Sequence, residues 1–544
     1  MKPRFDSQSG PANPLPHHTM KPKLRTIPRL GLIALAFAGL STHSTHSANV
    51  IWIGGTGSWD TTTNWTANAL PTSSDTAVFA GTTGTVTATA AQSVLGLKFT
   101  SAGYTLGGGA LTLGTGGIDA SALTSGITTI SGSGAVSLGA AQSWNVGTGA
   151  TLAVSSIVSG SNSLTKAGAG TLTLSGDNTY TGDTIVNAGT LSLTGSLSSA
   201  NLTMGGATFS YDKTGTNTQS FTSTAITGGV SYIKNTVSTD TLALGALSQS
   251  NGATVFFTKT GNISTSTTDG GNLLGGWAVI DNGNNTYDWA HSGSSGVNNI
   301  VAATYVSPSA ADLGNVLCTS NVTLANNQHT WQSVKVSGAT LNFGQWNLYL
   351  NSGGMILQNG GTYTNNGNNP GLLLTNAGSF FVHVPDSGTI GALISNNGST
   401  AANLYKDGPG TLTLSNAGNN FKGNIVINSG TIAVGTGING TNASSIASNL
   451  GDIGSGVSRS ITINNGGNLS FTGGNITGWD SCTDSGVTLV VNQGGVFQAG
   501  PNVTTNTGYW NKIGPMTLNG GSVLIGAGDT GTWGGLSPCL ARSR

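Results

Sequence analysis

Residues 166–193 read KAGAGTLTLSGDNTYTGDTIVNAGTLSL, and residues 406–434 read KDGPGTLTLSNAGNNFKGNIVINSGTIAV. The two segments are copies of one unit, because the tetrapeptide TLTL is identical and Tyr180 corresponds to Phe421. The second copy has one residue inserted before Phe421. A unit that occurs more than once indicates a repeat architecture, in which neighbouring repeats stack on one another.

The TLTL segments alternate in hydrophobicity with a period of two, which predicts a strand with leucines inward and threonines outward. Glycine and asparagine follow, which predicts a turn before two further strands. We expect the glycine before each strand to adopt positive φ at a bend, and Asn187 and Asn428 to hydrogen-bond along the stack. The predicted structural positions of the repeat are Gly170, Leu172, Leu174, Gly182, Asn187, Gly189, Gly410, Leu412, Leu414, Gly423, Asn428 and Gly430.

Shorter versions of the same turn and strand recur along the chain. They include GGGALTL at 107–113, GATLAV at 149–154, SGATLNF at 337–343 and NGGSVLI at 519–525. Each such unit has one apolar face that it cannot cover alone, and stacking in register buries that face. The predicted fold is therefore all-β, a right-handed parallel β-helix (β-solenoid) of degenerate Gly/Thr/Asn-rich rungs.

Composition supports strands over helices. The chain has 544 residues, 86 of them glycine, and its eighteen acidic residues are all aspartate. Glutamate favours helices, whereas threonine and valine favour strands. Outside the first 48 residues there are 12 basic and 17 acidic residues, a net charge of 12 − 17 = −5. Such a thinly charged, slightly acidic chain excludes binding to nucleic acid, which needs a basic surface.

The first 48 residues predict a signal peptide. From Met20 the chain has a basic region, an apolar region from Leu30 to Leu40, and a short polar region of small residues. Eleven apolar positions are too few to span a bilayer, which takes about 20. We therefore expect export, with Met20 as the start and no transmembrane segment in the mature chain.

The two repeat copies resemble the autotransporter-associated β-strand repeat of bacteria, and WIGGTGSWDTTTNWTANALPTSSDTAVFAG at 52–81 looks like the opening of such proteins. The specific matches cover about a fifth of the chain. The resemblance implies an extracellular β-helical passenger, secreted or on the outer surface of a bacterium. It implies no reaction.

The chain divides into six predicted segments. They are a signal peptide at 1–48, a Trp-rich capping segment at 49–105, β-solenoid at 106–211, a degenerate solenoid or insertion at 212–330, β-solenoid at 331–535, and an aberrant tail at 536–544. The tail brings a proline, a cysteine and two arginines into SPCLARSR. We expect a frameshift or a truncated gene, so that the DNA beyond codon 544, read in all frames, encodes further repeats and then a translocator barrel or sorting signal.

The chemistry-bearing residues favour structure over catalysis. Aspartate pairs in a groove are typical of β-helical enzymes that degrade polysaccharides, and the candidates are Asp177 with Asp183, Asp281 with Asp288, and Asp480 with Asp484. Asp183 becomes asparagine in the second repeat, which suits a turn. The sequence therefore predicts no catalytic, cofactor-binding or metal site, with a polysaccharide lyase or glycoside hydrolase as the alternative.

The tryptophans, histidines and cysteines have mainly structural predicted roles. Trp52, Trp59 and Trp65 suit either a cap over the first rung or stacking on sugars. Trp277, Trp289, Trp331 and Trp346 lie in and beside the less repetitive stretch, which suggests an insertion that carries specificity. His291, His329 and His383 lack metal-ligand spacing and are expected to be solvated. Cys318, Cys482 and Cys539 allow one disulfide at most, and the pairing of Cys318 with Cys482 stays open.

These features favour a structural or adhesive protein. We expect a monomer that presents a long, weakly charged, polar face to an extracellular glycan, matrix or cell, with no nucleic-acid partner and no cofactor.

Overall fold

The computed structural model describes residues 48–525, apart from 251, 271, 294–297, 309–312, 325–327, 366–371, 375–377, 397–400, 436–447, 453–457, 473–486 and 500–514. The predicted signal peptide, the C-terminal tail, Asp480, Asp484, Cys482 and Cys539 lie outside these residues. Two stacks of strands make up the described chain: a first block with strands between residues 49 and 302, and a second block with strands between 315 and 525.

The first block has two large sheets. Sheet A has 12 strands: Asn49–Trp52, Thr76–Phe79, Gln92–Phe99, Leu111–Ala120, Val136–Leu138, Gln142–Val146, Val158–Ser159, Leu164–Ala167, Thr184–Val186, Asn201–Met204, Ser223–Ile226 and Ala246–Gln249. Sheet B has 13 strands: Gly57–Ser58, Thr85–Ala88, Thr105–Gly108, Gly126–Ile130, Ala150–Val154, Thr171–Leu174, Thr190–Leu193, Thr208–Tyr211, Val230–Asn235, Thr254–Lys259, Ala278–Asp281, Tyr287–His291 and Val301–Ala302.

Smaller elements complete the first block. One sheet pairs Asp177–Asn178 with Ser196–Leu197, and another joins Thr218–Ser220, Thr241–Ala243, Asn262–Thr265 and Asn298–Asn299. The helical turns in the described chain are two 3-10 helices, Thr62–Asn64 and Thr66–Asn68.

The second block repeats the plan with two sheets. Sheet C has 11 strands: Asn315–Cys318, His329–Ser337, Leu348–Gln358, Leu372–Leu374, Ser379–His383, Ile394–Asn396, Asn403–Asp407, Ile425–Ile427, Arg459–Ile463, Val487–Asn492 and Met516–Asn519. Sheet D has nine strands: Val322–Thr323, Thr340–Asn342, Gly361–Thr364, Ser387–Ile390, Thr411–Leu414, Gly430–Val434, Gly467–Phe471, Val496–Ala499 and Ser522–Ile525.

Parallel pairing in register confirms the predicted all-β parallel solenoid. Leu172 pairs with Leu152 on one side and with Leu191 on the other, and all three side chains are buried. Leu412 pairs with Ile432, which is also buried. Each such side chain contributes about 1.5–3 kcal/mol by leaving water. Each block thus has its own continuous apolar core.

The stretch predicted as a degenerate solenoid or insertion, 212–330, contains the end of the first block and the first strands of the second. Sheet B continues through it in parallel to Ala278–Asp281, and then Tyr287–His291 and Val301–Ala302 join it antiparallel. A third apolar cluster lies between this end of sheet B and the outer face of sheet C. The two blocks therefore touch through sheet faces that point away from their own cores.

The repeat glycines serve two different geometric needs. Gly189 and Gly430 adopt φ of +65°, in the left-handed region. Gly170 and Gly410 lie outside that region, but a Cβ on either would come within 2.1 or 2.2 Å of a backbone oxygen of the preceding rung. The expectation of positive φ before each strand is therefore wrong for these two, which are needed for close packing of backbones.

Replacing Gly430 by valine tests the bend. A β-branched residue at positive φ costs about 1–3 kcal/mol, and its Cβ would also lie 2.3 Å from the Gly408 oxygen. We expect Gly430→Val to lower the urea midpoint accordingly. Gly228→Val is the matched control, because no atom lies within 4 Å of a Cβ there and its φ lies outside the left-handed region. Equal midpoints for both variants would contradict this account of the bend.

A row of asparagines runs along one edge of sheet C. Asn464 Nδ2 donates to Asn428 Oδ1 at 2.8 Å, Asn492 Nδ2 donates to Asn464 Oδ1 at 2.8 Å, and Asn519 Nδ2 donates to Asn492 Oδ1 at 3.0 Å. The two middle amides, those of Asn464 and Asn492, both donate and accept within the row, as in stacked asparagine ladders. In the other repeat copy the side chain of Asn187 is exposed.

Removing the middle of this row should cost more than removing its end. Asn464→Ala deletes two side-chain hydrogen bonds, each worth about 0.5–1.5 kcal/mol. We expect it to destabilise the chain by about 1–3 kcal/mol in urea unfolding. Asn519→Ala, the control, deletes one bond at an exposed site, and an equal effect from both would show that the ladder does not act as a unit.

A buried lysine joins the turns of each repeat. Lys406 Nζ donates to the oxygens of Gly408, Gly410 and Ser429 at 2.7–2.9 Å. Lys166, at the equivalent position, donates to the oxygens of Ala167, Gly168 and Ala188 at 2.7–3.1 Å. Burial lowers the pKa of Lys406 to about 7 and that of Lys166 to about 8. The sequence shows lysine in both copies, and this identity is the signal for a role that periodicity alone did not reveal.

The lysines predict a rise in stability with pH. Between pH 7 and about 10 the unfolded chain keeps a proton on Lys406 that the folded chain releases, so stability increases as pH rises through this range. We expect the free-energy difference between wild type and Lys406→Met to grow in favour of wild type from pH 7 to pH 9. A difference that is flat or falls over this range in urea titrations would contradict the burial of the ammonium group.

Candidate functional site

The outward side chains of sheet B form two rows of hydroxyl groups. Because Leu172 and Leu174 point inward, Thr171 and Thr173 point outward, and parallel pairing places equivalent residues of neighbouring rungs side by side. Neighbouring strands lie about 4.8 Å apart. A strand with the TLTL pattern therefore adds two hydroxyls to a regular surface array.

The first hydroxyl row is uninterrupted over four rungs. It consists of Thr151, Thr171, Thr190 and Thr208, which are partners in register. All four are half-buried, and within the described chain their hydroxyls make no side-chain hydrogen bond. The row begins beside the exposed Ile127 and continues into Tyr232. Its hydroxyls are thus held by the sheet and are available to a ligand.

The second hydroxyl row runs beside the first and is partly engaged. It consists of Thr129, Ala153, Thr173, Ser192 and Ser210. Ser192 and Ser210 both donate to Asp212, at 3.1 and 2.9 Å. The row continues into Lys234. Charge is therefore confined to one end of the array.

Sheet D carries a matching array in the second block. One row consists of Thr340, Thr362, Thr389 and Thr413, and the other of Ser387, Thr411, Thr431 and Asn468. The side chains are half-buried or exposed. The two blocks therefore present the same kind of surface, uncharged along these rows and rich in hydroxyls.

The described candidate aspartates are bound to structural neighbours. Asp177 accepts hydrogen bonds from Ser196 at 2.8 Å and from Lys213 at 2.9 Å. Both bonds lower the pKa of Asp177, and the bond from Lys213 has the larger effect. Asp183 accepts from Asn201 at 2.8 Å. An ionised aspartate tied to its neighbours does not suit a proton donor.

Asp281 and Asp288, the second described pair, also bind structural neighbours. Asp281 accepts from the backbone N–H of Gly283 in a turn. Asp288 accepts from Tyr305 at 2.9 Å and pairs with Lys335 of the second block. Among the described residues there is no cluster of metal-ligating side chains.

Most tryptophans are unavailable to ligands. Trp52, Trp59 and Trp65 are buried around Phe79 with ring centroids 5.7–6.4 Å from it. Their burial prevents them from stacking on sugars. Of the four tryptophans near the end of the first block, Trp289 and Trp331 are buried and Trp277 is half-buried, whereas Trp346 is 43% exposed.

The expectation of solvated histidines is wrong for His383, which is completely buried. His291 is half-buried, and its Nδ1 lies 2.8 Å from Asp269 Oδ2. Cys318 is a buried free thiol. No helix among the described residues is long and apolar enough to cross a membrane.

The comparison with protein families matches both repeat copies. The model of the passenger-associated-transport-repeat matches residues 164–193 and 404–434. The chain therefore carries two copies of a passenger-type repeat. The two matched segments contain the TLTL strands, the buried lysines and the bend glycines described above. The predicted resemblance is confirmed on the residues that suggested it.

One relative extends the similarity to most of the chain. It is the adhesin BmaC autotransporter of Brucella suis biovar 1 (strain 1330), which is 27% identical over 533 residues. The match covers 90% of this chain and 13% of the relative, so this chain corresponds to a small part of that protein. No solved structure matches significantly. The two matches confirm a secreted or outer-surface location on a bacterium.

Proposed function

We propose that this chain is an adhesive passenger, without catalytic activity, that binds glycan or matrix outside the cell through the hydroxyl rows of sheets B and D. The observation that carries the proposal is the uninterrupted first row of four threonines in register. The name of the relative, an adhesin, supports the same function.

The array suits many weak contacts made together. One neutral hydrogen bond adds only about 0.5–1.5 kcal/mol, but a repeating ligand meets several hydroxyls at once, so the contacts add up. The sheet holds the threonine backbones fixed, which reduces the entropy lost on binding. Because charge is absent along the first row, the expected ligand is a neutral polymer with its own hydroxyl or amide groups. We further propose that the chain acts as a monomer, which gel filtration can test.

Removing hydroxyls from the first row tests this function. In Thr171→Val/Thr190→Val/Thr208→Val the side chains keep their shape and strand propensity but lose three hydrogen-bonding groups. At about 1 kcal/mol each, affinity for the bound surface should fall more than tenfold. The measurement is biolayer interferometry of the purified chain on immobilised chitin, cellulose and collagen.

The matched control is Thr165→Val/Thr203→Val on sheet A, where both threonines are also half-buried and point outward. Its binding should equal that of wild type. Unchanged binding in the sheet B variant, or an equal loss in both variants, would contradict a role for the hydroxyl row. Release of oligosaccharides from any of the polymers would instead favour an enzyme.

A further inference from the structure

The first block and the second block meet at a junction that contains an apolar cluster. The apolar cluster there combines outward residues of sheet B (Val230, Phe256, Val279, Tyr287 and Trp289) with Leu273 and Ala303 from the adjoining segments and Ile356 of sheet C. The first hydroxyl row continues into it, since Thr208 pairs with Tyr232, Tyr232 with Phe256, and Phe256 with Val279. The second block therefore covers the aromatic end of the candidate binding face.

Glycines allow the two blocks to approach closely. A Cβ on Gly252 would lie 1.7 Å from Cε1 of Tyr405, and one on Gly354 would lie 2.5 Å from Cη2 of Trp289. A Cβ on Gly276 would lie 2.7 Å from the Ser352 oxygen. The junction is thus fitted to one docked arrangement.

Polar contacts follow the junction in order. They join Asp288 to Lys335, Gly276 to His383, and Gly252 to Asn428. Residue numbers fall on the first block as they rise on the second, so the second block runs back along the last rungs of the first. The contact between Gly276 and His383 involves a titratable side chain, His383, that has no solvent exposure.

His383 has a proton acceptor at each ring nitrogen. Nε2 lies 2.7 Å from the Gly276 carbonyl oxygen, and Nδ1 lies 2.5 Å from Asp407 Oδ1. A carbonyl only accepts, and so does an ionised carboxylate, whereas a neutral imidazole has a single N–H. A neutral imidazole and an ionised carboxylate can form only one of the two hydrogen bonds. Forming both requires one additional proton on the pair.

Losing that proton would break a hydrogen bond between two buried groups, although the Lys406 ammonium group lies close enough to interact with the Asp407 carboxylate. His383 and Asp407 are 0% and 1% exposed, and among the described residues Asp407 Oδ2 has no hydrogen-bond partner. Without the extra proton Asp407 Oδ1 would face a lone pair of His383 in an environment of low dielectric. The loss of a hydrogen bond to a buried carboxylate is destabilising.

Other titratable and charged groups also lie around the pair. Tyr232 and Tyr287 face it from the first block, and burial is the main cause that raises their pKa, to about 12 for Tyr232, so both are neutral at pH 7. Phe256 and Trp289 pack edge-on against the imidazole at 6.0 and 5.3 Å. The remaining charged groups nearby are Lys406, Asp281, Asp386, and Asp288 with Lys335.

Lys406 points away from the junction, and its effect on stability changes with pH in the opposite sense to that of the His383–Asp407 pair. Its ammonium group binds three turn oxygens of the second block rather than the junction. Its lowered pKa makes the fold more stable as pH rises, which is opposite to the effect expected of the His383–Asp407 pair.

We propose that the His383–Asp407 pair is a proton-dependent latch between the two blocks. With the proton bound, the blocks dock and cover Tyr232, Phe256 and Val279. An exposed imidazole and carboxylate hold no extra proton above about pH 7, so the docked state binds one proton more than the released state. Docking is therefore favoured by acid and weakens as pH rises, by up to tenfold per pH unit. Release adds an aromatic strip to the end of the hydroxyl row.

Hydrogen–deuterium exchange of the full chain tests the latch. Protection of Tyr287–His291 and Ser379–His383, corrected for intrinsic exchange, is compared from pH 5 to 9 with that of Thr171–Leu174, which lies in the core of the first block. In wild type we expect protection at the junction to fall by up to tenfold per pH unit above the transition, while the reference strand stays protected. Junction protection that is independent of pH would overturn the proposal.

Asp407→Asn is the decisive variant because its amide can donate to a neutral Nδ1, so both hydrogen bonds survive without an extra proton. It should stay docked over the whole pH range. The same pH dependence as wild type would overturn the latch. If this variant fails to fold, His383→Gln replaces it, because its amide has two N–H groups and does not titrate. In Lys406→Met, protection at the junction should still fall as pH rises, as in wild type. None of these outcomes depends on adhesion, so the latch and the proposed function fail separately.

Discussion

Parallel backbone hydrogen bonding between successive rungs is the constraint on which the rest of this structure depends. It fixes each residue beside its equivalent in the next rung, as Leu172 lies between Leu152 and Leu191. Residues of the same type therefore stack on one another in successive rungs. The inward positions become a continuous apolar core, the asparagines at a turn become a hydrogen-bonded row, and the outward threonines become a surface array.

The same constraint explains why glycine occupies corresponding bend positions in both repeat copies. Backbones of adjacent rungs come so close that a Cβ at Gly182 or Gly423 would lie within 2.2 Å of its neighbour's backbone. Turn carbonyls that point into the stack need donors, and the ammonium groups of Lys166 and Lys406 supply them. Three oxygens surround each amino group, but burial still lowers the pKa of both lysines.

The junction adds a different kind of order. A solenoid grows by local contacts between neighbouring rungs, but His383 meets the oxygen of Gly276 across 107 residues. Such a contact can change without unfolding either stack, because each block has its own core. A surface built for binding is thereby joined to an element that can cover or expose one of its ends.

The sequence alone determined the solenoid, the inward and outward positions of the TLTL strands and the family resemblance, because these follow from a period of two repeated between glycines. It also placed Gly430 at a bend of positive φ. Tertiary structure decided the rest. Gly170 and Gly410 proved to be sites of close approach, Trp52, Trp59 and Trp65 proved to be buried, and His383 proved to be buried against Asp407. Periodicity describes neighbours along one stack, whereas these facts depend on which outer faces meet, and residues far apart in sequence carry no local pattern that encodes such a meeting.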